Sequence, residues 1–352
     1  MRLQLIALVA SAIAHAEPEG DHVTAVIRNS AYVDNDRTTV DTTVVAAHGK
    51  PTADLAIDAH YVADAVSSAS VDVITAATGR FTELRQEAMV GATYNDGTST
   101  ATASYVYSEE HDWHSSTFGG ALGRDFYHHN LTLGIGGGFV DNHVGRSGDM
   151  NFARRMRVYS GSAHATWVAT RHDLFDLSYE LGYTSGYQAS PYRYVFVADP
   201  SGAQIAYAET DPDQRTRHSL TLRWNHHVGA DSALRSHARA YVDDWGVRSV
   251  TAGTAFAIGL EPFELAPEVR LYAQRGAEFY RDGYATAARY MTADRELSMF
   301  QDLFAGLRLR WLARESLQLD VAAMGFAFRF PEFHRLPSRE GLLLSVGLIW
   351  AL

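Results

Sequence analysis

The sequence predicts an all-β fold: a transmembrane, antiparallel, up-and-down β-barrel of about sixteen strands. Three observations carry this. Apolar and polar residues alternate with period two along almost the whole chain, the alternating segments run ten to fourteen residues, and the links between them alternate between short and long. Helical periodicity is scarce.

Residues 1–16 join a single charge, Arg2, to the apolar run from Leu3 to Ala14 and end in Ala14-His15-Ala16. That small-x-small ending predicts a cleaved signal peptide, leaving residues 17–352 as one barrel domain. The apolar run is too short to cross a bilayer as a helix, and nothing downstream offers eighteen uncharged apolar residues in a row.

Strands are expected near 22–33, 38–48, 53–63, 84–94, 98–108, 115–125, 130–141, 155–169, 174–186, 214–228, 232–243, 247–260, 263–276, 298–312, 316–329 and 341–352. The count is even, as for single-chain bacterial barrels. The clearest lipid-like faces are Phe175, Leu177, Tyr179, Leu181 and Tyr183, and near the end Leu342, Leu344, Val346, Leu348 and Trp350. Links after even-numbered strands are tight and rich in turn formers: His48-Gly49-Lys50-Pro51, Asn95-Asp96-Gly97, Arg171-His172-Asp173, Gly229-Ala230-Asp231 and Arg314-Glu315. These are expected on the periplasmic side. Longer links at 64–83, 109–114, 142–154, 187–213, 277–297 and 330–340 are expected outside the cell. Trp167, Trp224, Trp311 and Trp350 each lie near a tight-link end on the apolar face of a strand, which predicts an aromatic girdle at that interface. A soluble all-β sandwich or propeller is the competing fold. Strand length and the outward Leu and Trp stripes argue against it.

Acidic residues outnumber basic ones, 41 to 30, for a net charge of −11, which excludes a nucleic-acid partner. Lys50 is the one lysine; the other cations are arginines. Cysteine is absent, so no disulfide framework supports an exported chain, and stability has to come from closed hydrogen bonding and apolar surface.

Alternation also reads the lumen. The strand at 232–243 turns Arg235, His237, Arg239 and Tyr241 inward, and that at 263–276 turns Glu264, Glu268, Arg270, Tyr272 and Gln274 inward. Between them the strand at 247–260 offers only Thr251, Gly253, Ala255, Ala257 and Gly259. Charges two strands apart then face each other across roughly 10 Å with nothing bulky between. This predicts a charge ladder of Arg223, Arg235, His237, Arg239, Glu264, Glu268, Arg270 and Gln274. It reads either as a constriction that sorts solutes by charge or as a network that stiffens the wall.

Acid clusters at Asp34 with Asp36, Glu109-Glu110 with Asp112, and Asp211 with Asp213 offer oxygens of the kind calcium prefers, but without the spacing of a calcium loop. They are expected to be solvated surface charge. The pairs His128-His129 and His226-His227 point to opposite faces on a strand and chelate only in a turn, so no metal or other cofactor is expected. No G-x-S-x-G element is present, and catalysis is not expected.

Several segments resemble domain-of-unknown-function family 3570, a family of bacterial outer-membrane β-barrels. They are Tyr61-Val62-Ala63-Asp64-Ala65-Val66-Ser67-Ser68-Ala69-Ser70 followed by Thr82-Glu83-Leu84-Arg85; Ser108-Glu109-Glu110-His111-Asp112-Trp113; Pro191-Tyr192-Arg193; Asp211-Pro212-Asp213-Gln214-Arg215-Thr216-Arg217; Asp243-Asp244-Trp245-Gly246; and Tyr272-Ala273-Gln274 leading to Phe279-Tyr280. Ser68 stands where the family places Gly, and Trp113 where Tyr is common. The resemblance marks Asp64, Ser67, Ser68, Ser70, Asp211, Arg215, Arg217, Asp244 and Trp245 as family-motif loop residues. It implies the fold and the outer membrane of a Gram-negative bacterium, and no activity.

The expected function is passive passage of small solutes through a charged lumen, because a barrel of sixteen strands leaves an aqueous interior unless something fills it. The alternative is a non-conducting scaffold or receptor acting through its surface loops. Expected partners are outer-membrane lipid, the barrel assembly machinery and, for a pore, small solutes.

Overall fold

The computed structural model describes residues 23–68 and 81–352. The predicted signal peptide and Ser70 lie outside the described residues. The strands are β1 Thr24–Asp34, β2 Thr38–Thr52, β3 Leu55–Ser68, β4 Phe81–Asn95, β5 Ser99–Glu110, β6 Trp113–Phe126, β7 Leu131–Val144, β8 Arg154–Val168, β9 Asp173–Gly186, β10 Tyr194–Ala198, β11 Gln204–Ala208, β12 Gln214–Val228, β13 Ser232–Asp243, β14 Arg248–Leu260, β15 Phe263–Arg275, β16 Phe300–Arg314, β17 Leu317–Arg329 and β18 Ser338–Ala351. All but β10 and β11 form one closed antiparallel barrel of sixteen strands, each hydrogen-bonded to its neighbours in the chain, with β1 and β18 closing the ring.

Alternation sets which way each side chain points. On β9, Leu177, Tyr179, Leu181 and Tyr183 are exposed on the outer face, while Asp176, Ser178, Glu180 and Gly182 take the opposite face. A one-residue slip would exchange the two sets, so the pattern pins the register. The outer face carries polar groups in mid-strand that satisfy one another: Asn29 donates to Asp41 Oδ1 at 3.1 Å and to Thr43 Oγ1 at 3.2 Å, and Ser236 Oγ lies 3.0 Å from Thr254 Oγ1.

The tight turns follow local chemistry. Gly97 and Gly229 adopt φ of +86° and +67°, where a side chain would be strained. Asp96 Oδ1 accepts from the backbone N–H of Thr98 and Ser99, tying the β4–β5 turn. Two expectations are corrected. β2 runs through Gly49-Lys50-Pro51 to Thr52 with a register shift, so its turn falls at Ala53-Asp54. Residues 187–213 are not a plain loop: β10 and β11 pair as a hairpin outside the barrel around Asp199-Pro200-Ser201-Gly202, where Asp199 Oδ1 accepts from Ser201 and Ala203.

The lumen is filled unevenly. Toward the long-loop end, Tyr32, Val40, Phe300, Phe304, Met324, Phe326, Phe328, Phe330 and Phe333 form a buried cluster over β1, β2 and β16–β18. Tyr32 stacks on Phe326 at 5.0 Å, and Phe328 on Phe330 at 5.9 Å. The opposite wall is lined by small residues: Thr117, Gly119, Ala121 and Gly123 on β6, Gly134, Gly136 and Gly138 on β7, and Ser160 and Ser162 on β8. Phe328→Ala is expected to cost about 3 kcal/mol, within the range for truncating a buried aromatic side chain. Reversible urea unfolding in liposomes measures it, and a cost below about 1 kcal/mol would show that the cluster is loosely packed.

Candidate functional site: the lumen and its cap

The register aligns the predicted ladder in rows across β13, β14 and β15. Arg235 pairs Ala255, which pairs Glu268; His237 pairs Gly253, which pairs Arg270; Tyr241 pairs Ser249, which pairs Gln274. Gly253 is small for a reason: a Cβ there would overlap the His237 imidazole, which lies across β14. The ion pairs, however, do not bridge β14 as expected. Glu264 meets Arg310 at 3.5 Å, Glu268 meets Arg308 at 3.7 Å and Arg270 meets Asp302 at 2.8 Å, all on β16. On the other side Arg223 binds Asp176 of β9 at 2.6 Å, and Arg239 comes within 4.0 Å of Glu180 across β12. Adjacent strands bring partners within reach of an ordinary side chain, whereas spanning β14 needs full extension. Arg235 has no ion pair among the described residues. Gln274 donates to the carbonyls of Glu296 and Ser298, so it anchors a loop rather than a ladder.

A second arginine spans two strands at the seam. Arg28 on β1 pairs Gly347 of β18, which pairs Asp320 of β17, and the guanidinium lies over that glycine to reach Asp320 at 3.5 Å. Asp320 also holds Arg310 at 3.4 Å, which continues to Glu264. One belt of charge thus runs from β15 across the closure to β1.

The family-motif residues gather at the long-loop end. Asp64 accepts from Thr42 Oγ1 at 2.6 Å and meets Arg85 at 3.3 Å. Ser68 Oγ lies 2.8 Å from Thr38 Oγ1, and Ser67 sits beside it on β3. Arg215 donates from Nε and Nη2 to Asp243 Oδ2 at 2.9 and 2.5 Å, and its guanidinium lies 4.2 Å from the Trp245 ring. Trp245 Nε1 donates to the Gln214 carbonyl at 2.8 Å, Asp244 accepts from the Thr216 N–H at 3.0 Å, and Arg217 reaches Thr184 at 2.6 Å. These contacts fasten the ends of β9, β12 and β13 and the β13–β14 link to one another.

Above them the long loops join into a cap. The hairpin side reaches β5–β8: Tyr192 donates to Asp112 and accepts from the Ser147 N–H, and Arg146 donates to Tyr194 Oη at 2.9 Å. The hairpin meets residues 276–299 through backbone bridges Val197 to Tyr284 and Thr210 to Met291, packing Val195, Val197, Met291 and Ala293. Arg193 binds Asp294 at 2.8 Å and Glu209 at 3.3 Å. Buried Arg295 then pairs Asp36 of the β1–β2 link at 2.5 Å, and Arg339 of β18 lies 3.5 Å from Glu296. The chain of contacts crosses the mouth from β5–β8 to β1.

Two expectations about charge are corrected here. Asp36, Glu110 and the Asp211 carboxyl are buried rather than solvated. Glu110 and Asp112 do converge, with Glu83, to within 4.8 Å of one another; this is the single cluster of metal-ligating groups among the described residues. His128 and His129 sit in a turn at positive φ, where His129 binds Asp125, and His226 binds Asp173. Neither histidine pair joins a metal-ligating cluster among the described residues. Burial raises the Asp211 carboxyl to about 8, and nearby Glu209 and Asp294 add to the shift against Arg193 and Arg215. Glu209 is raised for the same first reason, burial.

On the outer face Trp167, Phe175 and Trp224 form a row with ring centroids 6.2 and 6.3 Å apart, and Trp311 stacks on Phe263 at 6.1 Å. Trp350 is half exposed at the same tight-turn end. Toward the other end Tyr105 packs on Phe118, and Phe139 on Tyr159 and then Tyr183. An apolar belt between aromatic rows, around a charged lumen and closed upon itself, defines an outer-membrane β-barrel protein. Residues 153–327 match the model of the family described as "Protein of unknown function (DUF3570)". No curated protein matches the chain in sequence. Among solved structures it is similar to a bacterial polysaccharide outer membrane secretin, with TM-score 0.55 and 9% identity over 94% of this chain and 99% of that one. It is also similar to CdiB from Acinetobacter baumannii, with TM-score 0.56 and 8% identity over 94% of this chain and 60% of that one. Identities this low show the shared fold alone.

Asp320→Ala strands the buried Arg28 and leaves Arg310 with Glu264 alone, and is expected to cost about 3 kcal/mol or more, as for breaking a buried pair. Glu268→Ala, whose pair is partly solvated, should cost no more than about 1 kcal/mol and leave any conductance unchanged. Equal losses in a side-by-side unfolding series would contradict this account of the belt. The raised Asp211 carboxyl means the closed cap holds a proton that the open loop releases. Its contribution is complete below the ordinary carboxylate range near 4 and is lost as pH rises toward about 8. Proteolysis at 199–203 should therefore quicken between pH 6 and pH 9, and Asp211→Asn should flatten that dependence; an unchanged profile in the variant would assign it elsewhere.

Proposed function

We propose that the protein is an outer-membrane channel for passive passage of small solutes, restrained at its extracellular mouth by the loop cap. On this reading it is exported by a cleaved leader and inserted by the barrel assembly machinery. The observation that carries it is the division of the lumen. A quarter of the wall, β5–β8, presents mainly glycine, serine, threonine and alanine, with His164 lying flat over Gly134, while bulky aromatic and charged groups crowd the facing side. A sixteen-strand ring has a backbone diameter of about 30 Å, so the small-residue side leaves an aqueous path beside the packed side. Lumenal charges are mostly neutralised by their neighbours, which suits a path of broad tolerance. The cap favours a second reading, a non-conducting surface receptor, because it bridges the mouth. Planar-bilayer recording separates them. The channel reading expects brief, low conductance in the wild type and stable open conductance when residues 194–208 are replaced by a short Gly-Ser linker. Silence from both proteins at every voltage would establish the receptor reading instead.

A further inference from the structure

The outer face of β12–β17 carries an apolar groove of about 830 Å³. Its shallow places are alanines, among them Ala240, Ala252 and Ala273, and its banks are leucines such as Leu222, Leu271 and Leu303. The register explains the shape: Ala238, Ala252, Leu271 and Leu303 form one row across four strands, and Ala240, Val250 and Ala273 the row above it. The next outward pair toward the long-loop end is Arg248 opposite Arg275. Both side chains are exposed, and neither has an ion pair or side-chain hydrogen bond among the described residues. Arg329, on β17 beside Gln301, is already held by Glu340 at 2.7 Å.

Like charges directly opposite on neighbouring strands destabilise a sheet unless an anion sits between them. The place of this pair says which anion. From Phe263, in the tight-turn aromatic row, to Arg275 is the length of β15. At about 3.3 Å per residue and a tilt near 40°, that puts Arg275 about 30 Å up, just past an apolar belt of about 25 Å. Two guanidinium forks therefore stand at headgroup level directly above an acyl-sized groove.

We propose that Arg248 and Arg275 with this groove bind a phosphorylated, multiply acylated glycolipid of the outer leaflet. A phosphate accepts bidentate hydrogen bonds from both guanidinium groups, and the acyl chains lie over the alanines. The groove crosses six strands, about 24 Å from the first to the last, which is wider than a two-chain lipid fills. The inference rests on the outer-membrane placement proposed above.

The test uses full-length protein in detergent, with folding checked by its gel mobility shift on boiling. Native mass spectrometry then titrates diphosphorylated hexa-acyl lipid A, its phosphate-free form and inorganic phosphate. The wild type should retain lipid A, and Arg248→Gln with Arg275→Gln should weaken that retention at least tenfold while the boiling shift persists. Ala252→Trp, which fills the groove and keeps both arginines, should weaken it comparably. Equal retention by the double variant, equal retention of the phosphate-free lipid, or an arginine-dependent complex with inorganic phosphate alone would each overturn the site. A wild type with no boiling shift would instead overturn the membrane barrel beneath it.

Discussion

Everything in this molecule depends on the pairing of its two end strands. Within a hydrocarbon layer each unpaired backbone N–H or C=O is costly, so a spanning sheet has to be without edges. β1 and β18 meet in register from Thr24 with Ala351 to Asp34 with Gly341, and that one contact turns a meander into a ring. The seam is reinforced from within. Ser30 donates to Ser345 at 3.0 Å, and Arg28 lies across Gly347 to Asp320. The glycine there is what lets a β1 side chain reach β17.

Closure then decides what the interior can hold. Outward faces must be apolar, so the charge of the barrel strands collects inside, where arginine forks find carboxylates mostly one strand away. Where loops are long they extend the same chemistry upward: Arg193, Arg295 and Arg339 tie the cap to the rim through Asp294, Glu209, Asp36 and Glu296. The aromatic cluster beneath stiffens the sector around the seam, leaving the small-residue sector to β5–β8. The outer groove belongs to the same arrangement, since Ala327 outside is the strand neighbour of Phe326 and Phe328 inside.

Much of the barrel was legible in sequence because its period is two and its faces differ in polarity. β12 and β13 span 214–228 and 232–243 as read, and most other ends move by a few residues. The β10–β11 hairpin was missed because each strand has only five residues, although the Asp-Pro-Ser-Gly turn between them was a usable signal. The lumen-facing Phe326 and Phe328 hid behind the stronger outward stripe of Leu317, Leu319 and Val321 on the same strand. The ladder residues were placed on the correct strands, but their partners were not foreseen. Alternation tells which face a residue takes and says nothing of which neighbour it prefers, and the partners Asp302, Arg308 and Arg310 lie on β16, beyond the strands the ladder spans. Asp36 with Arg295 joins residues too far apart in sequence for any local pattern.

The most direct test is a cysteine pair across the seam, made simple by a chain that has no cysteine of its own. Ser30→Cys with Ser345→Cys should form an intramolecular disulfide on mild oxidation in intact membranes, while Ser30→Cys with Leu344→Cys, whose side chains take opposite faces, should not. Efficient cross-linking of the second pair, or of neither, would contradict a ring closed in this register.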